Sequence, residues 1–341
     1  MTGPTLETSS PAVSLPTVSL PTIDEIRAAQ ELVYSVMQPT PQIVWPLLSG
    51  RLGTEAWVKH ENHTPIGAFK ARTAVVYAAE LFRGPNKTGP NRIKGLISAT
   101  RGNHGQSVAL AARRFGVPAH IVVPRGNSTE KNAAMRAQGA ELIEFGDDYQ
   151  ASKEHAQSLA REHGWHMVPP YHRDIVKGVA TYWLEFFSAV PNLDVVYVPI
   201  GQGSGICACI AVRNGLRLRT KIVGVVATGA RAYALSFEAG RKIAAPVTTL
   251  LADGMACRVP DEDSLAVILQ NVDHVVQVSE EEIREGMKIY FTDTHNVAEG
   301  AGAAGLAAAL QEKHLLARKR VGLVLSGGNV DHDVFAKVLS D

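Results

Sequence analysis

Four short stretches of this chain combine residue types that do chemistry with glycines that let a ligand come close. The first is HTPIGAFKAR, residues 63–72, which sets Lys70 among Ile66, Ala68, Phe69 and Ala71. An ammonium group in apolar surroundings loses hydration, its pKa falls, and the neutral amine becomes a nucleophile able to form a Schiff base. The second is SATRGNHGQ, residues 98–106, where Gly102 permits a close approach and the next residues enter a helix. Free backbone N–H groups at such a helix start suit a carboxylate. The third is GQGSG, residues 201–205, between the apolar runs VVYVPI and ICACIAVRNG. Glycines between a strand and a helix cradle a phosphate. The fourth is SGGN, residues 326–329, which ends the run VGLVL with a hydroxyl. Taken singly, each has a plainer reading: a solvated lysine, a helix cap, a tight turn.

The glycine loop is not a dinucleotide fingerprint. GQGSGI lacks the third glycine of GxGxxG, and no Asp or Glu ends the next strand, KIVGVVATGA, to hold a ribose. A phosphate is expected there.

These loops need strands to carry them. Short apolar, β-branched runs without polar alternation lie at residues 56–59, 95–98, 119–123, 141–145, 195–199, 221–226 and 321–326. Such runs fit parallel strands covered on both faces. Helical patterns at 67–82, 103–115, 129–138 and 148–163 separate several of them, the pattern of βαβ units. The four loops follow strands, at the carboxyl ends where open α/β sheets bind ligands. Pro- and Gly-rich stretches at 84–92 (GPNKTGPNR) and 168–174 (VPPYHRD) bracket a block with its own βαβ units. The reading is a domain of residues 93–172 inserted in a larger one made of 23–92 and 173–341, after a flexible tail of 1–22.

Composition narrows the function. The 341 residues are 45% apolar and 20% charged, with a net charge of +1, so no field attracts nucleic acid. No run reaches the roughly 18 apolar residues of a membrane span. The start has neither a basic n-region nor an apolar h-region. Cys207, Cys209 and Cys257 make neither a disulfide framework nor a metal motif, and read as apolar fillers in a reducing, cytoplasmic setting.

Lysine, anion loop, phosphate loop and terminal serine, in this order, resemble the fold-type II pyridoxal-phosphate enzymes, nearest the serine/threonine dehydratase branch with serine racemase and phenylserine dehydratases. The resemblance covers residues 23–340. It implies a tryptophan synthase β-like α/β fold: two open, twisted, mostly parallel sheets with helices on both faces. Lys70 in GAFKAR matches the Schiff-base lysine. In TRGNH, Asn103 would bond the cofactor's 3-hydroxyl, and Thr100, Arg101, Gly102, Asn103 and His104 would hold the substrate carboxylate. Gly201, Gln202, Gly203, Ser204 and Gly205 match the phosphate loop. Ser326 matches the residue facing the pyridine nitrogen, and Glu299 in AEGAGAAG a glutamate near the ring. The implied activity is β-elimination from threonine, serine or a bulkier β-hydroxy amino acid such as phenylserine, giving a 2-oxo acid and ammonia. The implied assembly is a homodimer. The alternative is a β-replacement synthase of the same fold.

Departures from the family pattern carry information. Arg101 stands where serine racemases place a proton-donating serine, and a permanent cation is a poor proton donor, so racemisation is not expected. Ala227, Arg231 and Tyr233 stand where a divalent-metal site has acidic ligands, so no metal is expected. One helix follows SGGN, so no C-terminal regulatory domain is expected. Arg101, the pair His60 and His63, and His172 with Arg173 are candidates for an unusual side-chain pocket.

Overall fold

The computed structural model describes residues 18–83 and 92–340. The stretch 84–91, and residues 1–17 of the expected tail, lie outside the described residues. The strands are β1 (Gln42–Val44), β2 (Glu55–His60), β3 (Leu96–Ala99), β4 (Ala119–Val123), β5 (Ala140–Glu144), β6 (His166–Met167), β7 (Val195–Pro199), β8 (Lys221–Ala227), β9 (His274–Val278) and β10 (Arg320–Leu325).

They form two sheets. A six-stranded sheet has the order β1-β2-β10-β7-β8-β9, with β1 antiparallel to β2 and the other neighbours parallel. A four-stranded, parallel sheet has the order β5-β4-β3-β6 and is built wholly from residues 96–167. The fold is α/β with two mostly parallel sheets, as the apolar runs imply. β3 and β4 are buried along their whole length, which is why their sequences do not alternate.

This topology sets the loops side by side. β2, β10 and β7 are neighbours, so the loops after their carboxyl ends emerge together: the Lys70 loop, SGGN and GQGSG. The fourth, TRGNH, leaves the end of β3, an inner strand of the other sheet.

The helix carrying Lys70 begins later than periodicity predicts. It spans Ala71–Leu81, with Lys70 as its N-cap residue. Gly67 sits at φ +67°, and the Thr64 hydroxyl both donates to the Ala68 carbonyl at 2.7 Å and accepts from its N–H at 3.0 Å. That closed turn occupies the expected first helical turn. β1, β6 and β9 escape sequence patterning: two are only two or three residues long, and all are edge strands with half-buried positions.

Residues 18–22 are tied down. Arg173 donates to the carbonyls of Ser19 at 3.1 Å and Leu20 at 3.4 Å, and pairs with Glu25 at 2.7 Å. The cysteines are free and buried, and burial pushes the Cys207 and Cys257 thiols up to about 12, so they act as fillers. No helix among the described residues is long and apolar enough to cross a membrane.

Candidate active site

Lys70 is partly buried, and its amine has no ion pair or hydrogen bond among the described residues; its nearest ring is Phe69, 4.8 Å away. Burial pushes its pKa down to about 8, against the pull of Glu299. Its backbone is fixed: the Lys70 carbonyl accepts from the Thr73 N–H at 3.0 Å, from the Thr73 hydroxyl at 2.8 Å and from the Ser107 hydroxyl. Ser107 lies on the helix Asn103–Phe115, so the TRGNH helix holds the Lys70 loop.

SGGN is joined to the same loop. Ala68 and Gly327 form a β-bridge, and the Phe69 N–H donates to the Ser326 carbonyl at 2.9 Å. Ser326 is buried, and its hydroxyl is a neutral group. The Glu299 N–H donates to the Gly327 carbonyl at 3.0 Å.

Glu299 is the hub. It precedes the helix Gly300–Gln311 and is buried; burial pushes its pKa up to about 7, opposed by Lys131, Asn103 and Lys70. Asn103 Nδ2 donates to both Glu299 oxygens, at 2.9 and 3.0 Å, and Asn103 Oδ1 accepts from Asn329 at 2.7 Å. Lys131, from the four-stranded half, pairs with Asp253 at 2.5 Å and lays its stem along Gly102.

The other loop residues divide. The Thr100 hydroxyl accepts from the Gly102 N–H at 3.2 Å. His104 is buried and lies 3.5 Å from the Val168 carbonyl; burial and Lys70 hold its pKa down at about 4, so the ring is neutral. Arg101 is exposed.

GQGSG fits an anion. The helix Ser204–Gly215 starts in it, and the N–H groups of residues 201–206 find no acceptor among the described residues. A Cβ on Gly201 would lie 2.5 Å from the Gly254 carbonyl oxygen, and Gly203 sits at φ +96°, so side chains are excluded from the loop's folded side. Cradle, free amine and neutral hydroxyl together fit pyridoxal phosphate.

The candidate side-chain pocket does not assemble. His60 is buried and accepts from the Trp45 indole at 3.0 Å, and His63 meets Asn296 at 2.8 Å. His172 caps its own helix through the Asp174 N–H at 3.1 Å, and Arg173 binds the N-terminal segment. These are structural engagements, and Arg101 alone remains beside the carboxylate loop. At the expected metal positions stand the Ala227 methyl, the exposed Arg231 and the buried Tyr233, none of them ligands for a hard cation.

Sequence reading missed Lys131, Ser107 and an ion cluster around Arg72, and gave Asn329 and Tyr233 no contact with the other site residues. Arg72 is fully buried, bonded to Glu61 at 2.8 and 3.0 Å and to Glu185 at 2.6 and 3.0 Å. Lys59 joins Glu185 at 2.6 Å. The signal for Arg72 was its place in GAFKAR.

Comparison with known proteins agrees with this geometry. The model of a family described as pyridoxal-phosphate dependent enzyme matches residues 33–327. L-threo-3-hydroxyaspartate ammonia-lyase of Saccharomyces cerevisiae is 32% identical over 93% of this chain and 95% of its own length. L-threonine ammonia-lyase of Thermotoga maritima is 32% identical over 93% of this chain and 78% of its own. Among solved structures, maize serine racemase superposes with a TM-score of 0.85 at 28% identity, covering 94% of this chain and 97% of that one.

Proposed function

The chain belongs to the pyridoxal-phosphate dependent enzymes, and from that premise we propose that it is an ammonia-lyase that dehydrates and deaminates a β-hydroxy-α-amino acid. The observation that carries this reading is Lys70: a partly desolvated amine with a pKa near 8 and no counter-ion, at the meeting of a carboxylate loop, a phosphate loop and a neutral hydroxyl. The bound cofactor would supply a carbonyl for the amino group and an electron sink that acidifies the α-proton. GQGSG would hold its phosphate, and Ser326 would face its ring.

The chain's own groups do the rest. Lys70 loses its charge around pH 8, well below an ordinary lysine, and the neutral amine takes the α-proton. The N–H groups of Arg101, Asn103 and His104 hold the substrate carboxylate at the helix start, the Gly102 N–H being taken by the Thr100 hydroxyl. Ser326 offers a neutral hydroxyl where a carboxylate would favour charge storage on the ring, so loss of a β-leaving group is the easier exit. Asn103 and Asn329 keep Glu299 fixed beside the site.

Threonine, serine, phenylserine and 3-hydroxyaspartate are the candidate substrates. Arg101, exposed next to the carboxylate loop, favours the acidic one, as does the name of the yeast relative. Release of 2-oxo acid and ammonia across that panel tests the reading. Fastest turnover of 3-hydroxyaspartate supports the acidic preference, and fastest turnover of threonine or serine refutes it. Replacement products formed with added thiol or indole, in place of ammonia, identify a synthase instead. The reading includes a cytoplasmic homodimer, which light scattering of the purified protein checks for mass.

A further inference from the structure

The phosphate cradle rests on a phenol that the reading above does not use. Tyr233, in the helix Ala232–Ala239, is 1% exposed. Its Oη lies 3.1 Å from the Gln202 carbonyl oxygen, 2.5 Å from Ser264 Oγ and 3.2 Å from the Asp261 nitrogen. A phenol has one proton and two acceptor sites. It donates to Gln202, accepts from the Asp261 N–H and meets the Ser264 hydroxyl, whose Oγ also lies 3.2 Å from the Asp261 carbonyl oxygen. Burial raises its pKa well above the usual value, so the proton stays in place.

Ser264 closes the other side. It is buried, its N–H is held by Asp261 Oδ1 at 3.0 Å, and a Cβ on Gly203 would lie 2.6 Å from its own Cβ. Tyr233 and Ser264 therefore grip the Gln202–Gly203 peptide from behind. In a trans peptide the C=O and N–H point in opposite directions. With the Gln202 carbonyl drawn onto the phenol, the Gly203 N–H is turned away from it, and that N–H has no acceptor among the described residues.

We propose that Tyr233 is a positioning residue for the cofactor phosphate: its hydroxyl, braced by Ser264, presets the Gly203 N–H in the cradle. The inference rests on pyridoxal phosphate as cofactor, and concerns how this chain's loop is held ready for it. A preset donor raises affinity for the phosphate group and leaves the rest of the cofactor untouched.

The test titrates apoprotein with pyridoxal phosphate and, separately, with pyridoxal, which has no phosphate. The expected result for Tyr233→Phe is a dissociation constant for pyridoxal phosphate raised about tenfold, with pyridoxal affinity unchanged. Ser264→Ala shifts the same constant in the same direction by less, and it decides the matter should Tyr233→Phe not fold. Unchanged affinity for pyridoxal phosphate in both variants overturns the proposal, and so does an equal loss for both ligands. Failure of the unsubstituted protein to bind pyridoxal phosphate is a different outcome: it removes the cofactor assignment itself.

Discussion

Lys70 and Arg72 stand two residues apart at one helix start, and both lie out of bulk water, but their surroundings are opposite. Residues i and i+2 project to different sides of a helix. Lys70 meets the cleft, where no carboxylate pairs with it, and burial lowers its pKa to about 8. Arg72 enters the core between Glu61 and Glu185. Burial there works against its charge, but the two carboxylates outweigh it and raise the pKa. Lys59 lies between the two: burial lowers its pKa on balance, and Glu185 at 2.6 Å opposes that change and ties the amine in place. A buried cation with partners is a structural tie; a desolvated one without partners is a reagent. The sequence GAFKAR places one of each side by side.

The largest expected effect separates the two roles. Lys70→Ala should cut ammonia release at least about 10³-fold while circular dichroism shows the fold retained. Glu185→Ala should do the reverse. It strips partners from Arg72, Lys59 and Tyr34 and should lower unfolding free energy by about 3–5 kcal/mol in denaturant titration. If Lys70→Ala unfolds the protein, or Glu185→Ala leaves stability unchanged, the contrast fails.

Titration sharpens it further. Acylation of the apoprotein by an amine-selective reagent, mapped by mass spectrometry, should reach Lys70 with a midpoint near pH 8 and leave the fully buried Lys59 unlabelled. Stability carries the same signature. Between about pH 8 and 10.5 the unfolded chain keeps the Lys70 proton and the folded apoprotein does not, so this group's contribution to stability rises with pH across that window. Below pH 8 both states hold the proton and the slope vanishes. Lys70→Met should remove the rise. The smallest effect belongs to the tether: Ser107→Ala, which deletes the hydroxyl on the Lys70 carbonyl, should cost about 1 kcal/mol of stability.

What could be read from sequence was what is local. The strands at 119–123 and 195–199 and the helix at 103–115 have the expected bounds, because buried apolar runs and a glycine end them. The loops at strand ends carry their chemistry in consecutive residues. What could not be read depends on distance along the chain. Glu185 lies 113 residues from Arg72, and Glu299 lies 196 from Asn103, so no periodicity or spacing announces these pairs. Tyr233 reads from sequence as a missing metal ligand, and only the fold shows its hydroxyl on the Gln202 carbonyl. His60, His172 and Arg173 read as pocket residues because charge and aromaticity say nothing about which way a side chain is turned.

The most direct measurement is borohydride reduction of the protein incubated with pyridoxal phosphate, followed by peptide mass mapping. The predicted result is loss of the visible absorbance and a single pyridoxyl group on the peptide containing Lys70. A colourless protein that takes up no pyridoxal phosphate, or a pyridoxyl group found on any other lysine, contradicts the assignment.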